Sequence, residues 1–126
     1  MADYASKRIG EMEAGFGGGF VKVRAELGVT SFGMQVIQLP PNFADYPEHD
    51  ESGSGQEEVY LALGGSGWLD IEGERVDLDA DTFVRVGPET RRKVYSGPEG
   101  LRILAVGAAP GEAYAINPTT ELGAAG

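Results

Sequence analysis

The side chains that offer the most chemistry lie in one stretch of the sequence, residues 46–58. It holds His49, the single histidine of the chain, followed by Glu51 and, after a loop rich in serine and glycine, by Glu58. Alternate residues of an extended strand point to the same face, so we expect the His49 and Glu51 side chains to lie together. Because the chain has no cysteine, thiolate nucleophiles, cysteine-bound zinc and disulfides are excluded. Imidazole acid–base or metal chemistry therefore rests on His49 alone.

Charge and hydrophobicity exclude several classes of partner. The chain has 126 residues, of which 20 are acidic and 10 basic, and its formal net charge is −10. Nucleic acid and anionic lipid are both bound through clustered Lys and Arg, so neither a nucleic-acid nor a membrane partner is expected. The sequence contains no apolar run of bilayer-spanning length and no N-terminal signal pattern, and we therefore predict a cytoplasmic location.

Glycine and proline indicate the architecture that must position these residues. The 20 Gly and 7 Pro leave little room for long helices and favour short strands with tight turns. Turn residues separate about eight predicted strands, at 20–25, 31–39, 58–63, 67–71, 75–78, 82–86, 92–95 and 101–106. No helical stretch lies between them, which predicts one all-β domain at residues 20–108. Residues 1–19 are expected to be an irregular or short-helical lead-in, and residues 109–126 a tail.

The stretch around Glu58 resembles the first sequence motif of the cupin superfamily. His49 takes the place of the first histidine of that motif, and Glu58, followed after six residues by Gly65, matches its second half. Glu51 stands where the motif has its second histidine. The second cupin motif, aligned with residues 81–96, has none of its characteristic residues here and places Arg92 where the family has its third metal-binding histidine.

This resemblance implies both a fold and an assembly. The fold is a double-stranded β-helix, the jelly-roll barrel of the cupins, in which the side chains at these motif positions converge. Small cupins are commonly homodimers that pair through N-terminal strands, so the resemblance also implies a homodimer. The unpaired hydrogen-bonding groups of edge strands give a physical reason for such pairing.

One function implied for this site is a binding protein that needs no cofactor. A small polar or anionic molecule would occupy a polar pocket lined by His49, Glu51, Glu58, Tyr60 and Arg92. Strand alternation turns Arg92 inward and its neighbours Arg91 and Lys93 outward. Because arginine keeps its proton, Arg92 would anchor an anionic ligand or pair with a carboxylate, and it would repel a metal cation.

The alternative is a metal-dependent enzyme of the dioxygenase, isomerase or decarboxylase type. In that case His49, Glu51 and Glu58 would hold one divalent transition metal ion (Mn, Fe, Ni or Zn), since one imidazole with two carboxylates is a plausible ligand set. A third class, a metal-free sugar epimerase, would use His49 as base and Tyr60 or Tyr95 as acid. The sequence alone does not decide whether the protein is an enzyme.

Overall fold

The computed structural model describes residues 2–116, and its regular structure is mostly antiparallel β-sheet. Hydrogen-bonded neighbours follow the order β1–β2–β3–β7–β4–β5, and β6 also pairs with β4. The all-β prediction is confirmed. No helix within residues 2–116 is long and apolar enough to cross a membrane. The strands are β1 (Ala14–Gly15), β2 (Phe20–Val21), β3 (Gly33–Leu39), β4 (Glu57–Ile71), β5 (Glu74–Leu78), β6 (Val84–Val86) and β7 (Arg92–Ala108).

Strands β4 and β7 form a long antiparallel ribbon. Strand β3 pairs with β7, and β5 and β6 pair with β4. The register of the ribbon runs from Glu57 opposite Ala108 to Ile71 opposite Arg92. The predicted turns at 64–65 and 96–98 are wrong, because both segments lie inside these continuous strands. The register of β4 shifts in two places near residues 62–67, and these bulges bend the ribbon without ending it. The glycines that suggest a turn are thus the residues that permit a sharp bend.

The N-terminal region differs from the prediction in two ways. The strand predicted at 20–25 ends at Val21 and is followed by a helix, α1 (Val23–Leu27). Gly28 ends this helix in the left-handed region, with φ of 76°, and donates its N–H to the carbonyl of Arg24 at 2.9 Å. The apolar side chains of the helix are covered by the outer face of β3, which decides in favour of helix over strand.

The lead-in and the tail contain little regular structure. Helix in the lead-in is limited to two 3-10 turns, at Ile9–Glu11 and Phe16–Gly18. Strand β1 lies within the predicted lead-in but pairs with β2, so the sheet begins before residue 20. In the predicted tail, residues 109–116 contain neither helix nor strand, and residues 117–126 lie outside the described part of the chain.

The interior of the barrel is apolar at one end and polar at the other. Inward-facing residues of β3, β4 and β7 supply most of the core; among them, Leu69 and Ile103 are at most 1% exposed. Three polar side chains, those of Gln35, Glu58 and Arg92, are among the largest fully buried groups in the molecule. Buried charges are costly unless they are paired, so their partners define the chemistry of this interior.

Candidate functional site

Backbone pairing brings the two halves of the site together. His49 and Arg92 form an isolated antiparallel bridge in which each N–H donates to the other residue's carbonyl at 2.9 Å. Two residues further on, the Glu51 N–H donates to the Pro88 carbonyl at 2.7 Å. Glu58 is the second residue of β4, next to this bridge. The segment from 49 to 51 is thereby attached to the first residue of β7 and to the loop that precedes it, at the polar end of the barrel.

A charged pair occupies the centre of that end. The Arg92 Nη2 atom lies 3.0 Å from Glu58 Oε1, and both side chains are 1% exposed. The Tyr60 hydroxyl donates to the same Glu58 oxygen at 2.5 Å and accepts from Arg92 Nε at 3.3 Å. Burial and the nearby Glu58 carboxylate raise the pKa of Tyr60 well above its usual value, so its hydroxyl keeps the proton that it donates. Arg92 Nη1 donates to the Thr90 carbonyl at 2.7 Å.

His49 and Glu51 extend the pair into a cluster of four ionisable groups. The His49 Nε2 atom lies 3.2 Å from Glu51 Oε2 and 3.9 Å from Glu58 Oε1, which are ion-pair distances without well-aligned hydrogen bonds. Ser54 Oγ donates to the other Glu51 oxygen at 2.8 Å. One ligand atom from each of His49, Glu51 and Glu58 lies within 4.8 Å of the others, close enough to converge on one ion.

The charge on His49 depends on these two carboxylates. Burial by itself lowers the pKa of His49, but the close approach of the Glu51 and Glu58 carboxylates favours the charged imidazole, outweighs burial and raises the pKa to about 9. His49 therefore carries a proton at neutral pH. Two carboxylates then face one guanidinium and one imidazolium, and the charges of the cluster sum to zero.

An NMR titration of the His49 ring tests this assignment, and its signal is unambiguous because the chain has one histidine. We expect a pKa of about 9 in place of the usual 6.5. Because the pKa is higher in the folded state, the stabilisation is complete below about pH 6.5 and is lost as the pH rises through about 9. The free energy of unfolding should decline over that interval in the wild type and not in His49→Gln. A ring that titrates near its ordinary value would contradict the cluster.

The space enclosed by the cluster is small. The cavity lined by His49, Glu58, Tyr60 and Arg92 has a volume of about 10 Å³, which is roughly the room that one water molecule needs. The five predicted site residues thus lie together, but they fill the interior and leave no room beside them for an organic ligand. Tyr95, the other tyrosine suggested as an acid, is outside the cavity and stacks on Trp68 at 5.3 Å between ring centroids.

Two further polar residues line the cavity and were missing from the sequence-based prediction. Both amide atoms of Gln35, which is 0% exposed, and the buried Tyr46 hydroxyl have no hydrogen-bond partner among the described residues. The position of Gln35 could have been predicted from strand alternation. It shares the inner face of β3 with Ile37 and Leu39 and is the polar residue among the three. Tyr46 lies in an irregular loop, where no periodicity indicates which way a side chain points.

Comparison with known proteins bears on the fold. No protein-family model and no curated protein matches the sequence. Among solved structures, a cupin protein from Bacteroides fragilis matches with a TM-score of 0.72 and 20% identity, over 93% of this chain and 93% of that chain. The chain has the cupin fold. A cupin-superfamily sugar phosphate isomerase from Silicibacter pomeroyi matches with a TM-score of 0.60 and 15% identity, over 71% and 59% of the two chains.

A third match is the cupin domain of an XRE-family transcriptional regulator from Enterobacter cloacae. Its TM-score is 0.55 at 20% identity, over 66% of this chain and 86% of that chain. One of these matching proteins is described as a sugar phosphate isomerase and another as a domain of a transcriptional regulator, so the shared cupin fold does not by itself assign a function. Any function of this chain has to be argued from its own residues inside the cupin barrel.

Strand alternation around Arg92 is as predicted. Arg92 points into the barrel, whereas Arg91 is exposed and pairs with Glu48 at 2.7 Å. Lys93 also faces outward, above the ring of Tyr95. The inward position is the one that the motif resemblance assigns to a metal-binding histidine of the family.

Proposed function

We propose that this chain is a metal-independent cupin that binds a small organic molecule. The observation that carries the proposal is the Arg92–Glu58 ion pair, with 3.0 Å between Nη2 and Oε1 and both side chains 1% exposed. A guanidinium cannot ligate a metal, and here it occupies one oxygen of the carboxylate that a metal would need.

The charges of the cluster support the same conclusion. Two carboxylates, Glu51 and Glu58, face the fixed positive charge of Arg92 and the imidazole of His49. A divalent cation would have to displace the guanidinium from Glu58 and lie beside it, and that repulsion counts against binding. The donor set of this chain is therefore a poor fit for a resident metal, and the site's electrostatics are complete without one.

A binding role is favoured by the unpaired polar atoms at the same end of the barrel. Folded proteins leave few buried polar groups without a partner, and each one costs about 1–3 kcal/mol. The Gln35 amide and the Tyr46 hydroxyl are two such groups facing one interior. The cavity of about 10 Å³ between them is too small for an organic molecule, so binding one would require the loop that carries Tyr46 to move outward and uncover these groups. The predicted homodimer and cytoplasmic location stay predictions.

A second candidate function is the metal-dependent enzyme. It is favoured by one observation, namely that His49, Glu51 and Glu58 offer ligand atoms within 4.8 Å of one another. An imidazole and two carboxylates could hold Mn, Fe, Ni or Zn if Arg92 withdrew from Glu58. Such an ion would supply Lewis-acid or redox chemistry.

Metal uptake distinguishes the two functions. The purified protein is equilibrated separately with Mn, Fe, Ni and Zn salts, dialysed, and analysed for bound metal. We expect the wild type to retain well under one equivalent and its melting temperature to be unaffected by a chelator. One equivalent of metal in the wild type, lost in His49→Ala, would overturn the metal-independent function.

The substitution Arg92→His provides the positive arm of this experiment. It removes the repelling charge, frees Glu58 and supplies a second imidazole, so we expect it to raise metal retention towards one equivalent. Arg91→His is the matched control, since it adds the same imidazole on the exposed side of the same segment and should change nothing. Equal retention in the two variants would contradict the placement of Arg92 at the centre of the site.

A further inference from the structure

The loop between β3 and β4 separates two cavities. One is the polar cavity of about 10 Å³ described above. The other is a cleft of about 720 Å³ between the glycine-rich turn at 16–19, the end of β3 and residues 43–47 of the loop. Tyr46 lines both cavities, so its side chain is part of the wall between them. A displacement of Tyr46 would connect the cleft with the polar interior.

This loop is attached to β7 at two places. At the first, the buried Ser96 hydroxyl accepts a hydrogen bond from the Phe43 N–H at 2.7 Å. At the second, His49 forms the backbone bridge with Arg92. Between these anchors, the backbone groups of residues 44–48 make no hydrogen bond with the backbone elsewhere in the described part of the chain. This short segment can therefore move while both of its ends stay in place.

Two side chains hold residues 44–48 against the barrel, and each contributes modestly. Tyr46 is the one residue of the five that is not exposed, and it packs against the main hydrophobic core. Its buried hydroxyl has no hydrogen-bond partner among the described residues, which offsets part of the gain from burying the ring. On the outer side, Glu48 pairs with Arg91 at 2.7 Å, but both side chains are 52% exposed, and such surface pairs add little stability. The inward position of the segment is therefore favoured by a small margin.

The groups that share the polar cavity with Tyr46 include unpaired ones. Both amide atoms of Gln35 and the Nε2 atom of His49 have no well-aligned hydrogen-bond partner among the described residues. An organic molecule does not reach them while Tyr46 points inward, because the space beside them measures about 10 Å³. An outward displacement of Tyr46 would place them at the inner end of the cleft, whose volume is in the range of small-molecule sites, about 300–1,000 Å³.

We propose that residues 44–48 form a gate to the polar interior and that Tyr46 is its moving side chain. When the gate opens, Tyr46 turns outward between the fixed anchors at Phe43 and His49, and the cleft and the polar cavity become one site. The Gln35 amide then lies at the inner end of that site, where it donates to and accepts from a polar group of a bound molecule. This inference rests on the proposed small-molecule binding function and explains how a molecule larger than water enters the closed cluster. The opening itself is a property of the protein without ligand.

Cysteine labelling measures the opening, because the chain has no cysteine and an introduced thiol is the only one. Gln35→Cys places the thiol in the polar cavity behind the gate, whereas Ala62→Cys places it in the hydrophobic core, at a residue that is 2% exposed. Each variant is treated with iodoacetamide, and mass spectrometry follows the modified fraction. We expect Gln35→Cys to react at least about 100-fold faster than Ala62→Cys, since local opening requires far less free energy than global unfolding. Low concentrations of urea should accelerate only Ala62→Cys, because local opening exposes little surface.

Substitutions at the gate should change the labelling rate of Gln35→Cys in opposite directions. Arg91→Ala releases the outer side of the gate and should raise the rate by about 2- to 5-fold. Tyr46→Phe removes the hydroxyl that is unpaired inside and hydrated outside, so it should lower the rate by at least about 5-fold. Arg85→Ala is the matched control, since it removes an exposed ion pair of similar length away from the gate and should leave the rate unchanged.

Three results would overturn the inference. The first is labelling of Gln35→Cys that is as slow as that of Ala62→Cys or rises with urea in parallel, because the interior would then open only by global unfolding. The others are equal rates in the Arg91→Ala and Arg85→Ala variants, or an unchanged rate in Tyr46→Phe. If Gln35→Cys does not fold, Val94→Cys replaces it, since Val94 is close to cysteine in size, is 4% exposed and lines the same cavity. All these outcomes are independent of metal uptake, which tests the proposed function itself.

Discussion

Arg92→Met should lower the free energy of unfolding by about 3–5 kcal/mol, the usual cost of leaving one member of a buried ion pair without its partner. The substitution keeps an unbranched apolar chain in the space of the arginine stem, so the main loss is the guanidinium that pairs with Glu58 at 3.0 Å. Because both side chains are 1% exposed, bulk solvent does not reach the Glu58 carboxylate to compensate for the lost guanidinium. Urea denaturation followed by circular dichroism measures the change.

The double variant Arg92→Met/Glu58→Leu tests the cause of that loss. Removing both charges leaves no unpaired group of the pair, and buried ion pairs replaced by apolar residues are often neutral or stabilising. We therefore expect the double variant to be more stable than either single variant. If Arg92→Met alone does not fold, recovery of a folded double variant is itself the expected result.

The exposed pair Arg85–Glu57 is the matched control. Its Nε–Oε1 distance is 2.6 Å, but the side chains are 63% and 38% exposed. Arg85→Met should change the free energy of unfolding by at most about 1 kcal/mol. Strictly additive losses in the buried double variant, or equal losses in the buried and exposed single variants, would show that Arg92 and Glu58 are not coupled.

Gly65→Ala should be the most damaging of the conservative substitutions in the barrel. The backbone at Gly65 has φ of 81°, and an added Cβ would overlap the Gly100 carbonyl oxygen and lie 2.8 Å from its carbon. Left-handed strain costs about 1–3 kcal/mol, and overpacking costs about 1–3 kcal/mol more. Because the colliding atoms belong to the backbone of β7, no side chain can rotate away to relieve the overlap. Thermal and urea unfolding measure the combined effect.

The adjacent Gly64 gives a control within the same bend. An added Cβ there meets nothing within 4 Å, and φ is not in the left-handed region. Gly64→Ala should therefore leave stability nearly unchanged. If Gly65→Ala were equally mild, the close approach of β4 and β7 at this bend would be wrong.

The difference between a turn and a bend shows where sequence-based prediction of this fold fails. Glycines at 64–65 and the Gly-Pro pair at 97–98 are typical of turns, and locally nothing separates that interpretation from a bulged, continuous strand. The tertiary structure decides between a turn and a bulged strand, because the backbone of the partner strand at Gly100 lies against Gly65. Gly100 is 35 positions further along the chain, so no local pattern indicates this contact. The helix Val23–Leu27 has a similar origin, because its apolar side is covered by a later strand.

The amino-acid sequence by itself determined the all-β class, the inward direction of Arg92 and the candidate group His49, Glu51 and Glu58. Strand alternation and motif spacing are local properties, so they can be read along the chain. Only the tertiary structure decided that this group closes on itself around about 10 Å³, and that Tyr46 stands between it and a cleft of about 720 Å³. The volume of a cavity depends on how side chains from distant strands and from an irregular loop pack against one another. A local sequence pattern contains no information about that packing.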